Sequence, residues 1–363
     1  VKVALLHDWL TGFRGGERVL EVFCELYPDS DLHTLIYKPG STSNIIENRA
    51  IKTSFLNHIP AISTHYRKFL PLFPLAVDFM ELADDTDLII SSHHCVIKGL
   101  AKPTGSKHLC YIHSPMRYMY DQYDAYFGKQ APLYQQIGAK IFKNSIIDWD
   151  LKSNDNVDLF VANSAFVKNR VNEFYQRDAE VIHPFVELSD FKKIQSESID
   201  KEDYFIIVSA FAPNKRLDLA IETFNQLKLK LKIIGSGQQE QYLRSLAGPT
   251  IEFLGHTDRQ SLISCFAKAR ALIFPGVEDF GITPLESLAS VTPVIAFNRG
   301  GVLETLDEDV AVFFNEQTVE SLKDAVQRFE RSNFNKSKLI DRANCFSREI
   351  FKKKMNDLIA SFQ

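Results

Sequence analysis

The chain has 363 residues, of which 45% are hydrophobic and 24% charged, with a formal net charge of -4. That length exceeds one ordinary hydrophobic core and predicts two domains, and the slightly acidic balance gives no support for a nucleic-acid binder. No apolar run approaches the roughly eighteen residues of a membrane span, and the amino terminus reads as a strand, not a signal peptide.

Short apolar runs at residues 3–6, 32–36, 88–91, 109–112 and 159–162 predict buried parallel strands in the first half. Residues 17–27 read as an intervening helix. Five cysteines, Cys24, Cys95, Cys110, Cys265 and Cys345, are scattered without a C-x-x-C pair. That pattern predicts reduced thiols in the cytoplasm and no zinc site. The polar stretch 188–203 is the best linker candidate, dividing the chain into domains 1–187 and 204–346. In the second half the same rhythm runs through 204–209, 231–234, 251–254, 271–274, 294–297 and 310–313, with helices at 217–227 and 259–270. The tail 347–363 carries Ile350, Phe351, Met355, Leu358 and Ile359 at helical spacing. An α/β architecture of two βαβ domains with a cleft between their strand ends is the simplest expectation.

Several loops at strand ends carry chemistry. The first strand feeds a glycine-bearing loop, His7 to Val19, in which Gly15 and Gly16 open a helix; glycines there either make a tight turn or touch phosphate or sugar. His113 follows the strand 109–112 and leads into Ser114-Pro115-Met116-Arg117-Tyr118; it is either a structural histidine or a ligand contact. Lys215 and Arg216 lie at a strand-to-helix junction; they are either a solvated loop pair or, with a helix amino terminus beside them, a site suited to a diphosphate. Gly235-Ser236-Gly237 lacks the third glycine of a dinucleotide fingerprint, with Glu240 in its place, which argues against a nicotinamide enzyme.

The most informative string is Glu278-Asp279-Phe280-Gly281-Ile282-Thr283-Pro284-Leu285-Glu286. It follows the strand 271–274, with Glu278 in the loop and Glu286 in a helix predicted to start at Thr283 as N-cap. A carboxylate at a strand's carboxyl end can accept two hydroxyl hydrogen bonds from a polyhydroxylated ligand. Glu286 could alternatively close a capping box with Thr283. Gly300-Gly301 opens a further helix, with Glu304 in its first turn, and lets backbone approach a ligand closely. Asp-x-Asp strings at Asp85-Asp87, Asp148-Asp150 and Asp307-Asp309 follow no nucleotide-pocket strand, so no metal site is expected.

The string from Glu278 to Glu286 resembles the E-x7-E signature of family 4 retaining glycosyltransferases. It is similar in particular to the mannosyltransferase-like branch that builds bacterial surface polysaccharides. Gly15-Gly16-Glu17-Arg18-Val19, His113 to Tyr118, Lys215 to Ala220 and Gly300-Gly301-Val302-Leu303-Glu304-Thr305 match the same branch in order. The resemblance implies a GT-B fold: two Rossmann-like domains facing across a cleft, with the C-terminal helix crossing back to the first. It implies transfer of a hexose, best mannose from GDP-mannose, with retention and without a metal or other cofactor. The acceptor would be a hydroxyl of a glycan or lipid-linked glycan.

In that reading His113 and Glu278 are catalytic. Gly15, Gly16, Lys215, Arg216, Phe280, Gly281, Ile282, Thr283 and Glu286 bind the donor, and Met116, Arg117 and Tyr118 lie on the acceptor side. Glu278 would hold hydroxyls of the transferred sugar, Glu286 the ribose, and the loop 254–257 the base. The segment 66–74, which mixes Arg67 and Lys68 with large apolar groups, either rests on a membrane surface or ends a core helix. Alternatives are a UDP-hexose transferase of the same fold, a nucleotide-sugar 2-epimerase and a non-catalytic donor-binding scaffold.

Two positions depart from the family pattern. Ala210 stands at or near the place of its usual Arg, and Val291 replaces its usual Gly. A β-branched residue in left-handed backbone costs on the order of 1–2 kcal/mol, so the backbone at Val291 is expected to adapt locally.

Overall fold

Among the described residues every pairing between strands is parallel, and the strands form one seven-stranded and one six-stranded sheet. The computed structural model describes residues 1–128, 132–197 and 199–363. They divide into a first unit, Val1–Ile182 with Lys352–Gln363, and a second, His183–Phe351.

In the first unit β1 (Val3–Leu10), β2 (Asp31–Tyr37), β3 (Ile51–Thr53), β4 (Leu88–His93), β5 (Lys107–Ile112), β6 (Leu159–Ala162) and β7 (Glu180–Val181) lie in the order β3-β2-β1-β4-β5-β6-β7. The chain reverses direction across the sheet between β1 and β4, a switch point whose carboxyl edge opens where loops can hold ligands. β4 is buried along its whole length, as a strand covered by helices on both faces must be. β1 runs on through Leu10, so His7, Asp8 and Trp9, read from sequence as loop, are strand residues. His7 and Asp8 are fully buried there, and backbone amides from the loop after β4 satisfy Asp8.

The helix Gly15–Leu26 begins with the two glycines in its first turn, and Glu17 accepts the Arg14 amide at 2.9 Å. Its Val19, Leu20, Val22 and Phe23 are buried, the expected apolar face. The stretch after Tyr66 is a 3-10 helix to Leu72 followed by the helix Phe73–Asp78. Tyr66 and Phe73 are buried there, while Arg67, Lys68, Leu72 and Leu75 are exposed. The final residues pack in this unit through Met355 and Ile359, with Lys352 on Glu25 at 3.0 Å. No helix among the described residues is long and apolar enough to cross a membrane.

In the second unit β8 (Phe205–Val208), β9 (Leu231–Ile234), β10 (Ile251–Gly255), β11 (Leu272–Phe274), β12 (Val294–Phe297) and β13 (Ala311–Phe314) take the order β10-β9-β8-β11-β12-β13. Alternate residues feed two cores. Ile206, Leu272, Phe274 and Val294 enter one, Phe205, Ile207, Ile273 and Ile295 the other. The segment 188–203 belongs to this unit, where Phe191 is fully buried in the first of these cores.

Two local expectations are corrected. The helix after the acidic loop is Ile282–Ala289 with Gly281 as N-cap at φ 89°, so Thr283 is an interior first-turn residue and makes no cap. Gly281 can take that left-handed conformation without a Cβ clash, which starts the helix earlier than the threonine signal suggests. Val291 also does not escape strain, since its φ is 59°. The Val291 amide donates to the Leu288 carbonyl at 2.9 Å and the Thr292 amide to the Ser287 carbonyl at 2.9 Å. This paired closure of a helix end demands left-handed backbone at that position whatever residue fills it. Ser287 Oγ donating to the Thr292 carbonyl at 2.8 Å and Thr292 Oγ1 donating to the Phe266 carbonyl at 2.6 Å hold the turn in place.

Candidate active site

The second unit's switch point lies between β8 and β11, and both loops there carry charge. After β8 the chain makes a 3-10 turn, Pro213–Lys215, then Arg216 at φ 51° leads into the helix Leu217–Leu227. After β11 come Pro275, Gly276 and Val277, then Glu278. Lys215 and Glu278 form an ion pair, with side chains 18% and 17% exposed. They line one crevice together with Ser209, Pro275 and Gly276. A Cβ on Gly276 would stand 2.7 Å from the Lys215 Cα, so the two loops approach closely only because that residue is glycine. Arg216 turns toward Asp218, Nε to Oδ1 at 3.2 Å, and toward Gln317, and so flanks the crevice.

Glu278 is fixed from behind by backbone. Its carbonyl accepts the Gly301 amide at 2.9 Å, and residues 278 and 300 form an isolated parallel bridge. A Cβ on Gly301 would meet the Asp279 carbonyl oxygen at 2.1 Å. The Gly-Gly turn and the acidic loop are therefore one packed unit. Phe280 is 3% exposed and lies in the core, stacked on His183 with ring centroids 5.5 Å apart. Gly281, Ile282 and Thr283 stay partly exposed at the helix start.

Glu286 does not close a capping box. Its Oε1 accepts from Arg259 Nη1 at 2.5 Å, and Arg259 Nε donates to Asp190 at 2.9 Å. Arg259 follows Asp258, the N-cap that ends the loop after β10. Glu304, of the Gly-Gly motif, pairs with His183 at 2.8 Å, and Arg342 donates to the Glu304 and Thr305 carbonyls at 2.9 Å each. Sequence reasoning missed Arg259, His183 and Arg342, which reach these glutamates from distant segments.

In the first unit the switch point gathers histidines around a buried acid. Asp8 accepts four backbone amides, from His94, Cys95, Val96 and Ile97, at 2.7–3.0 Å. Burial by itself would raise its pKa. The neighbouring His94 and His93 and these amides reverse that and hold it below the usual carboxylate range. Asp8 Oδ2 is also 3.3 Å from His94 Nδ1. No sequence signal beyond a polar pair at a strand end marks Asp8.

His113 follows β5, with Nε2 2.8 Å from Ser92 Oγ. Burial pushes its pKa down to about 3, helped by His94 and His7, so it is a neutral imidazole near pH 7. Gly16 lies against it, with a Cβ there falling 3.6 Å from His113 Nε2 and 3.5 Å from His7 Cε1. Gly15, Gly16 and His113 are thus brought together. Of the acceptor-side trio, Met116 is fully buried in the core and the Tyr118 hydroxyl contacts Cys95 Sγ at 2.7 Å. Arg117 keeps partial exposure.

The aspartates of the Asp-x-Asp strings serve other ends. Asp150 pairs with the fully buried Lys98 at 2.7 Å and accepts from Tyr120 and Tyr175. Asp87 accepts the Lys2 amide and Asp307 the Asp309 amide. Cys24, Cys95 and Cys110 are buried core residues, and burial pushes the Cys24 and Cys110 thiols up to about 12.

Residues 189–345 match the family described as glycosyl transferases group 1. Among curated relatives, the alpha-1,3/1,6-mannosyltransferase of Homo sapiens is 26% identical over 220 residues, 51% of this chain and 53% of that protein. The O-antigen chain mannosyltransferase of Salmonella typhimurium is 29% identical over 184 residues, 45% of this chain and 51% of that protein. The chain thus spans about half the length of the curated relatives it matches. Of solved structures, a sucrose-phosphate synthase from Thermosynechococcus elongatus superposes with a TM-score of 0.75 at 16% identity, covering 100% of this chain and 99% of that one. The Anabaena HepE structure in complex with UDP-glucose gives 0.69 at 13% identity, covering 99% and 100%. With the two parallel sheets, these likenesses identify the fold class as GT-B.

Proposed function

We propose that the protein is a retaining glycosyltransferase that moves a hexose, mannose from GDP-mannose, to a hydroxyl of a glycan or lipid-linked glycan. The observation that carries this reading is the Lys215–Glu278 pair at the second unit's switch point, braced by the Gly301 amide. A cation beside a hydroxyl-binding carboxylate at that edge suits a sugar diphosphate. The choice of mannose is supported by the mannosyltransferase relatives, one of which, from Corynebacterium glutamicum, is described as GDP-mannose-dependent and is 31% identical over 132 residues. The HepE complexes with UDP keep UDP-hexoses as the second donor class.

In the proposed step the bond from the anomeric carbon to the diphosphate oxygen breaks and its electron pair leaves with the diphosphate. The acceptor oxygen bonds to the same face of that carbon and its proton passes to the departing phosphate. Lys215, Arg216 and helix-terminal amides stabilise the growing negative charge, so no metal or other cofactor is assigned a role. Neutral His113 steadies the sugar without opposing the positive charge that develops at the anomeric carbon. Glu286, oriented by Arg259, holds the ribose. The glycan acceptor, the cytoplasmic setting and contact of the exposed Arg67, Lys68, Leu72 and Leu75 with a membrane surface belong to this same proposal.

Calorimetry with GDP, UDP and their mannose and glucose conjugates, in EDTA, on wild type and Lys215→Ala tests it. Binding of GDP ligands that survives EDTA and weakens at least tenfold in the variant is expected. Absence of binding to every one of these ligands would overturn the reading.

A further inference from the structure

At the β3 edge of the seven-stranded sheet lies an open pocket of about 260 Å³, lined by His33, Lys52, Ser54, Phe55, Phe79 and Glu81. It is separate from the site described above. β3 lies four strand spacings from β5, after which His113 stands, roughly 19 Å at ~4.8 Å per spacing.

Two features of this pocket have no structural task. Phe55 is 42% exposed and Phe79 72%, with ring centroids 6.2 Å apart at 82°, so a pair of aromatic rings faces outward instead of packing inward. His33, on β2 opposite Lys52, is only 2% exposed, yet its imidazole makes no hydrogen bond among the described residues. Burial lowers the His33 pKa to about 4, so its ring is neutral near pH 7, with one donor and one acceptor nitrogen.

The chemistry narrows the ligand. Lys52, whose ammonium also donates to Asp31 at 2.7 Å, and Glu81 bring opposite charges to one small pocket, which gives no preference for a phosphate or a nucleotide. Neutral His33, cationic Lys52 and anionic Glu81 together offer donors and acceptors to several hydroxyls. The phenylalanine rings offer an apolar platform for aliphatic C–H groups. The volume falls below the ~300–1,000 Å³ of pockets for drug-sized ligands.

We propose that this pocket binds one pyranose unit of a glycan, its C–H face against Phe79 and Phe55 and its hydroxyls on His33, Lys52 and Glu81. That the glycan is also the acceptor of sugar transfer rests on the transferase reading; recognition of the pyranose does not. For an acceptor chain the pocket acts as a remote subsite, holding a sugar unit several residues from the reacting hydroxyl.

Saturation-transfer NMR with the methyl glycosides of mannose, glucose and galactose, and with a linear mannotriose, tests this on the full chain. Wild type, Phe79→Ala and Glu278→Gln are compared, with GDP and then UDP titrated into each sample. Because Phe79 is exposed, its truncation leaves the core intact. At least one glycoside should show saturation of its ring C–H protons, with affinity at least fivefold weaker in Phe79→Ala and unchanged in Glu278→Gln. No saturation with any of the four sugars, or equal affinity in Phe79→Ala and wild type, overturns the subsite. Sugar binding that depends on Phe79 in a protein that binds neither GDP nor UDP upholds the pocket and overturns the transferase reading alone.

Discussion

Glu278 and Gly301 are joined by a hydrogen bond from the Gly301 amide to the Glu278 carbonyl, 2.9 Å long. The acidic loop and the Gly-Gly turn, which the sequence presents as separate motifs, are therefore mechanically one piece. Any residue larger than glycine at 301 must displace the Asp279 carbonyl, which a Cβ would approach to 2.1 Å. Gly301→Ala should weaken donor binding at least tenfold, about 1.4 kcal/mol, and shift the Lys215–Glu278 pair. Calorimetry on the variant checks this; wild-type affinity would show that the carboxylate is placed independently of the turn.

Val291 holds a left-handed backbone at φ 59° that the helix end requires. Val291→Gly removes strain of about 1–2 kcal/mol and incurs part of it back as glycine's unfolded-state entropy. A net gain of about 1 kcal/mol in urea unfolding is expected. A loss of similar size would mean that Val291's packing against the core outweighs the strain.

Asp8 is the anchor of the first unit's histidine cluster. Asp8→Asn replaces one acceptor oxygen with a donor facing the Val96 and Ile97 or the His94 and Cys95 amides, which the carboxylate serves at 2.7–3.0 Å. Losing charge-assisted bonds to buried amides should cost about 3 kcal/mol. Urea unfolding measures the loss, and NMR should show the His94 resonance titrating at lower pH once its anionic neighbour is neutral. An unchanged His94 titration would remove Asp8 as its electrostatic partner.

Acid should destabilise the first unit before its carboxylates titrate. Burial lowers His33 and His108 to about 4, while an unfolded histidine titrates near 6.5. Between those values the unfolded chain binds more protons, so stability is complete above about pH 6.5 and falls as pH drops toward 4. His108 bonds Ser91 Oγ at 2.8 Å and the Asn156 carbonyl at 2.9 Å, which fixes its neutral form. His108→Gln should flatten the slope of unfolding free energy against pH between 6.5 and 4, by up to about 1.4 kcal/mol per pH unit. The same slope in wild type and variant would contradict this assignment.

Much of the second unit was legible because its strands are short, apolar and buried on both faces. Residues 231–234 and 294–297, read from apolar runs alone, are β9 and β12 with those same bounds. Legibility failed where a distant partner decided the outcome. His7 and Asp8 look like loop residues, yet amides beyond β4 satisfy Asp8 and let β1 continue. The Thr283-Pro284 signal for a helix start is genuine locally, but Gly281 supplies the turn two residues earlier. Glu286 shows the same limit, since Arg259, which decides what its carboxylate does, lies 27 residues away on another helix. Side-chain partners across that separation leave no periodic or capping signature.

In the proposed transfer Glu278 acts on the transferred sugar while Lys215 holds the diphosphate. The most direct test measures donor affinity and single-turnover transfer from GDP-mannose to a mannose-containing acceptor, in wild type and Glu278→Gln. Glu278→Gln should keep donor affinity within about threefold of wild type and lower the transfer rate at least a hundredfold, about 2.7 kcal/mol of transition-state stabilisation. Transfer at the wild-type rate in Glu278→Gln would contradict it.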